Sequence, residues 1–170
     1  MGMWNYLISG VSCTGKTSVC TELQRRGYYA IHGDRELAYW GDPKTGEPVN
    51  GCAGEHRSWM WNVEKVRALV ADHNHAATFL CGGSRNSDRF IDWLDGIFVL
   101  EIDRDTLNRR LAARPADAWG GSASEGESFA RFQHATKEGL PTNASIIDAT
   151  APLAHVVDEI VRQSVAKIPL

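Results

Sequence analysis

The stretch GVSCTGKT, residues 10–17, limits this chain more than any other feature. Gly10 and Gly15 stand five residues apart, and Lys16 and Thr17 follow the second glycine directly. The two glycines open backbone conformations that are closed to residues carrying a Cβ. Successive N–H groups can then turn inward as a concave anion nest. The apolar run WNYLIS (4–9) precedes the loop, and a helix candidate over about 16–26, closed by Gly27, follows it. A helix that begins at the loop adds the positive end of its dipole to the nest. The fold must therefore bring a buried strand, a glycine loop and a helix N-terminus together around one anion.

The rest of the chain repeats the strand–helix alternation. Further strand candidates are 28–31, 77–81, 96–102 and 144–148. Trp59, Val63, Val66, Leu69 and Val70 recur at steps of three or four, which predicts one helix face that includes Trp59. Helices are also expected over 87–94, 105–114, 127–138 and 153–167. Residues 35–55 are rich in turn formers and read as irregular. The glycine-rich segment 115–126 reads as mobile. Alternating strands and helices argue for a parallel sheet covered on both faces, with ligands beyond the carboxyl ends of the strands. The expected class is α/β: a three-layer P-loop NTPase fold, with a five-stranded parallel sheet, helices on both faces and a small mobile lid. At 170 residues the chain reads as one domain, 1–170.

The motif matches G-x-x-x-x-G-K-S/T in full, in the strand-then-helix context that gives it meaning. Gly10, Ser12, Cys13, Thr14, Gly15, Lys16, Thr17 and Ser18 are the candidate nucleotide contacts. Lys16 neutralises charge on the β and γ phosphates, and the Thr17 hydroxyl suits Mg²⁺. No N-K-x-D motif selects guanine, and the third strand ends at Cys81-Gly82-Gly83 without the carboxylate of a motor-type ATPase. Transfer to a small acceptor is the favoured fate of the phosphoryl group. A net charge of −3 argues against nucleic acid or a membrane surface as partner. The four cysteines form no C-x-x-C pair, and no leader or membrane-spanning run is visible, so a cytoplasmic setting is expected. A monomer and a homodimer both remain open.

In segment order nearly the whole chain resembles the small P-loop kinases, the shikimate, gluconate and nucleoside-monophosphate kinase group. The resemblance rests on the phosphate loop, on Gly33-Asp34 after the second strand, on Arg110-Leu111-Ala112-Ala113-Arg114, and on Ile146-Ile147-Asp148-Ala149-Thr150. Lys44-Thr45-Gly46-Glu47-Pro48 with Arg57 and Trp59, and Cys81-Gly82-Gly83-Ser84-Arg85, lean toward the gluconate branch. That branch's H-F-M and S-Q-F motifs are absent, and Asp34-Arg35-Glu36 departs from the D-x-D of shikimate kinases. The resemblance implies ATP with Mg²⁺, a lid near 114–127, an acceptor segment near 35–75, and adenine contacts at Thr150 and Pro152. It implies a phosphotransferase acting on a hydroxyl of a small metabolite: a sugar acid, polyol, nucleoside or similar. A nucleoside-monophosphate kinase and a non-catalytic nucleotide-binding regulator are the alternatives.

Within that frame Asp34 is the candidate proton acceptor or holder of a magnesium-bound water. Arg110 and Arg114, four apart on one helix face, are candidates to clamp phosphate oxygens or stack on adenine. Arg35, Arg57 and Arg85 are candidates for an anionic group on the acceptor, and Gly82 and Gly83 for close backbone approach. Trp40 is a candidate to stack on a ring. Trp59 is expected in the core. His73 and His75, two apart, do not suit one metal ion.

Overall fold

The computed structural model describes residues 4–10, 14–42, 44–49, 58–113 and 141–166. The expected lid near 114–127, the helix expected over 127–138, and Ser12, Cys13, Arg57 and Arg114 lie outside the described residues.

The described elements run β1 (Trp4–Ser9), α1 (Lys16–Arg25), β2 (Tyr29–His32), α2 (Gly33–Glu36), β3 (Ala38–Gly41), β4 (Ser58–Trp61), α3 (Val63–Ala71), β5 (Ala77–Cys81), β6 (Gly96–Glu101), α4 (Arg104–Ala112), β7 (Ala144–Asp148) and α5 (Leu153–Val165). Two short 3-10 turns, Ser87–Arg89 and Ile91–Trp93, stand where one helix was expected. Five strands form a parallel sheet in the order β2-β5-β1-β6-β7. The expected class is present: α/β, with that sheet between layers of helix.

Side-chain alternation along the strands builds the layers. Tyr6 and Ile8 of β1 point to one face, where Phe79, Phe98 and Leu100 join Val19 and Leu23 of α1, Leu107 of α4 and Val157 and Ile160 of α5. Leu7 points to the other, where Ile31, Leu80 and Ile97 meet Val66 of α3, with Trp61, Phe90 and Leu94. The central strands are buried on both faces, which is why they read as continuous apolar runs. Asn62 caps α3 by accepting from the Lys65 amide at 3.0 Å, and Asp103 caps α4 through Thr106 at 2.6 Å. The Thr106 amide, followed by its hydroxyl, holds the Asp103 carboxyl below its usual range.

Two expectations need correction. Residues 38–41 and 58–61 are not irregular or helical: they pair as an antiparallel ribbon, Ala38 opposite Trp61 and Trp40 opposite Trp59. Trp59 therefore belongs to a strand, and α3 begins only at Val63. The spacing from Trp59 to Val63 matches a helix by coincidence. Asn62, in extended backbone, caps the helix and separates the two elements. Val63, Leu69 and Val70 do pack on the core around the fully buried Val66, as the helical period requires.

Candidate active site

β1 lies between β5 and β6, so its carboxyl end opens at the middle of the sheet. Gly10 follows it at φ 145°, a conformation suited to glycine. A Cβ there would stand 2.7 Å from the Leu100 carbonyl oxygen and 2.8 Å from Thr14 Oγ1, so Gly10 lies tightly against the end of β6. Thr14 is buried, and Gly15 at φ 95° turns the chain into α1. Lys16 reaches back to Gly10 and donates from Nζ to its carbonyl at 2.7 Å. Thr17 and Ser18 are exposed on the first turn. The N-cap of α1, Gly15, offers no side-chain cap, and the first turn carries no acidic residue. A helix start behind a left-handed glycine, with an ammonium turned back to Gly10, fits a phosphate chain.

The second group of residues gathers beside it, at the ends of β2 and β5. Asp34 sits on α2, directly after β2, and is exposed. Its Oδ1 accepts from Trp59 Nε1 at 3.2 Å, Trp61 Nε1 at 3.3 Å and the Gly83 amide at 3.2 Å. Gly82, at φ 146°, passes between this carboxylate and Trp61. A Cβ on it would meet Asp34 Oδ1 at 2.7 Å and Trp61 Cζ2 at 2.8 Å. Gly33 is equally confined, because a Cβ on it would overlap the Trp61 ring. The Gly82 amide donates to the Ile8 carbonyl at 3.0 Å, which ties this loop to the strand that carries the phosphate loop.

Cys81 is buried at the tip of β5. Burial pushes its thiol well up, a contact with the Cys20 thiol adds to this, and the Asp34 charge raises it further while Lys16 opposes. Both charges act on one sulfur. The Lys16 ammonium, on the Gly10 carbonyl, and the Asp34 carboxylate, on the loop tied to Ile8, both stand at the carboxyl ends of the sheet strands.

Arg110 of α4 reaches the end of β7. Its Nη2 donates to the Ala149 carbonyl at 3.2 Å, just after β7. Thr150 follows: its amide donates to Asp148 Oδ1 at 2.9 Å, and its Oγ1 accepts from the Asp103 amide at 3.4 Å. Pro152 precedes α5. Arg110 thus meets the segment that holds Thr150. Arg35 and Arg85 are exposed, and the Arg85 amide donates to the Trp59 carbonyl at 2.8 Å. Trp40 stands edge-on to Trp59, with ring centroids 4.9 Å apart. His75 stacks on Tyr29 at 3.9 Å, away from these groups in sequence and role.

The two indole N–H groups on Asp34 were not foreseen. The signal was present in Trp59 and Trp61, two apart, which a strand places on one face. Among the described residues, no group of three or more His, Cys, Asp or Glu is arranged to hold a metal ion. Mg²⁺ in such a site would be held largely by phosphate oxygens and water, with Thr17 and Asp34 the candidate protein groups. No described helix is long and apolar enough to cross a membrane.

The fold has solved counterparts. A gluconokinase crystal structure from Sinorhizobium meliloti 1021 superposes with a TM-score of 0.61 at 16% identity, covering 97% of this chain and 93% of that one. A sugar kinase from Janibacter sp. HTCC2649 superposes at 0.57 and 16% identity, covering 94% and 93%. At that identity the likeness is one of fold. No curated protein matches the chain. The family model described as AAA domain matches residues 7–129. The chain belongs to this AAA domain family and has the P-loop kinase-like architecture.

Proposed function

We propose that the protein is an ATP-dependent phosphotransferase that moves the γ-phosphoryl group to a hydroxyl of a small metabolite. One observation carries the reading: the loop whose Gly83 amide bonds Asp34 is tied through Gly82 to Ile8, on the strand that leads into Gly10 and the Lys16 ammonium bonded to it. A kinase needs that juxtaposition, and a module that only holds nucleotide does not.

Phosphoryl transfer asks little covalent chemistry of the protein; it asks for alignment and for compensation of negative charge. MgATP supplies the phosphoryl group, and the metal neutralises part of its charge. The loop amides and Lys16 hold the phosphate chain. Arg110, with Thr150 and Pro152, borders the place for the nucleotide's base end. Asp34 accepts the proton of the attacking hydroxyl, or orients a water that does. Trp40, Arg35 and Arg85 surround the acceptor entrance, and a sugar acid or another hydroxylated anion suits that mixture of an aromatic face and cations. The kinase names of the two structural neighbours support the same class.

The test is ADP release from MgATP with sugar acids, cyclic polyols, nucleosides and nucleoside monophosphates offered in turn. Stimulation by a hydroxylated non-phosphorylated compound, with its phosphate ester as product, is the expected result. Stimulation by a nucleoside monophosphate alone would move the assignment to that kinase class. Nucleotide binding with no stimulation by any of them would overturn it.

A further inference from the structure

Asp34 is held in an unusual way for an exposed carboxylate. Three N–H groups converge on a single oxygen, Oδ1: two indoles and the Gly83 amide. Oδ2 receives no hydrogen bond among the described residues. An indole N–H donates only and has no lone pair to receive a proton. The tryptophans therefore orient this carboxylate and do not relay its proton.

The surrounding chain is arranged for that contact. Asn86 is buried and grips the Trp61 backbone from both sides, its Oδ1 accepting from the amide and its Nδ2 donating to the carbonyl. The Trp61 ring stacks on Phe90, with centroids 5.7 Å apart and planes 4° from parallel. Trp59 is steadied by Trp40 across the ribbon. Glycine at 33 and at 82 leaves room for the Trp61 ring and for the carboxylate.

We propose that Trp59 and Trp61 are positioning residues for phosphoryl transfer. Their indoles, with the Gly83 amide, fix Asp34 Oδ1 and leave Oδ2 as the oxygen that meets the attacking hydroxyl. The β3–β4 ribbon thereby belongs to the reaction centre as well as to the acceptor entrance. This assignment rests on the reading of Asp34 as the proton-accepting group.

The experiment uses the full chain labelled with ¹⁵N at its indole nitrogens, together with the slow release of ADP from MgATP with water as the acceptor. Trp59→Phe keeps a ring against Trp40 and removes one N–H; Trp61→Phe does the same in the core. These two variants identify their own indole signals. In Asp34→Ala both signals should shift upfield, and their exchange with solvent should quicken about tenfold, the factor for one lost hydrogen bond. In Trp59→Phe, kcat for ADP release should fall about tenfold or more while MgATP affinity stays within about twofold, because loss of orientation acts on the chemical step. Trp59→Phe serves as the kinetic test even if Trp61→Phe fails to fold.

Unmoved indole signals in Asp34→Ala would overturn the proposal. So would wild-type kcat in Trp59→Phe where Asp34→Ala abolishes release, and the kinase reading would then stand without it. Undiminished release in Asp34→Ala itself would instead remove the role given to Asp34, and the positioning role would fall with it.

Discussion

Asn86 and Trp61 hold each other through two hydrogen bonds: Asn86 Oδ1 accepts the Trp61 amide at 3.0 Å, and Asn86 Nδ2 donates to the Trp61 carbonyl at 2.9 Å. A side chain here takes the place of a neighbouring strand. Both backbone groups of a fully buried residue would otherwise stay unpaired.

Asn86→Ala should therefore lower stability by about 2–4 kcal/mol, the cost of leaving two buried backbone groups without partners. Urea unfolding of wild type and variant measures it. Asn86→Asp keeps the acceptor but turns a buried carboxylate oxygen on the Trp61 carbonyl, so it should be at least as damaging. Equal midpoints for all three would show that the pairing contributes nothing.

Gly82→Ala should be harmful on two counts. The residue sits at φ 146°, and its new methyl would press on the Asp34 carboxylate and the Trp61 ring. Strain and crowding together should cost about 2–4 kcal/mol. Gly83→Ala, next in the chain, has open space at its Cβ position and is the control, with little change in Tm.

Lys16→Ala should leave the fold intact and lower kcat/KM for MgATP-dependent transfer by about 10²–10³, as loss of one preorganised charge donor does. The stabilisation of the folded chain by MgATP, read as a rise in Tm, should shrink with it. Turnover like that of wild type would refute the role given to Lys16.

Alkaline pH should expose a different part of the core. Burial, with a further contribution from the Asp95 charge, raises the Tyr6 phenol from 10.0 to about 12. A raised pKa means that the folded chain keeps a proton that the unfolded chain has lost. The contribution is intact below pH 10 and is lost as pH climbs from there through about 12. The loss should amount to about 2–3 kcal/mol. Tyr6→Phe removes the hydrogen bond to the Ser164 carbonyl, so it should be less stable near neutrality by about 1 kcal/mol. Its stability should fall less steeply over the alkaline window, which unfolding curves from pH 8 to 12 would measure.

The parallel sheet was legible because its strands are short apolar runs, each followed by a polar loop. Residues 4–9, 77–81 and 144–148 are strands with the expected ends, and 28–31 is displaced by one residue to 29–32. The phosphate loop was legible because its chemistry depends on glycines at fixed spacing. The ribbon of β3 and β4 was not. Its strands are four residues long, and Trp59, Met60 and Trp61 are all large and apolar, so no alternation marks them. Their partner, Ala38–Gly41, lies some twenty residues earlier among turn formers. Asp34 could be singled out from its neighbour Gly33, but the groups that bond it come from β4 and from the end of β5. Such long-range pairing leaves no local trace in sequence.

The bond between Lys16 and the Gly10 carbonyl has a consequence for how nucleotide enters. The ammonium already has a seat before any guest arrives, so arrival is an exchange of one acceptor for another. Anions too short to reach that nitrogen would leave it seated and gain nothing from it. On the proposed reading, a tail long enough to reach that nitrogen would take the place of the Gly10 carbonyl, and a preference for triphosphate over monophosphate would follow.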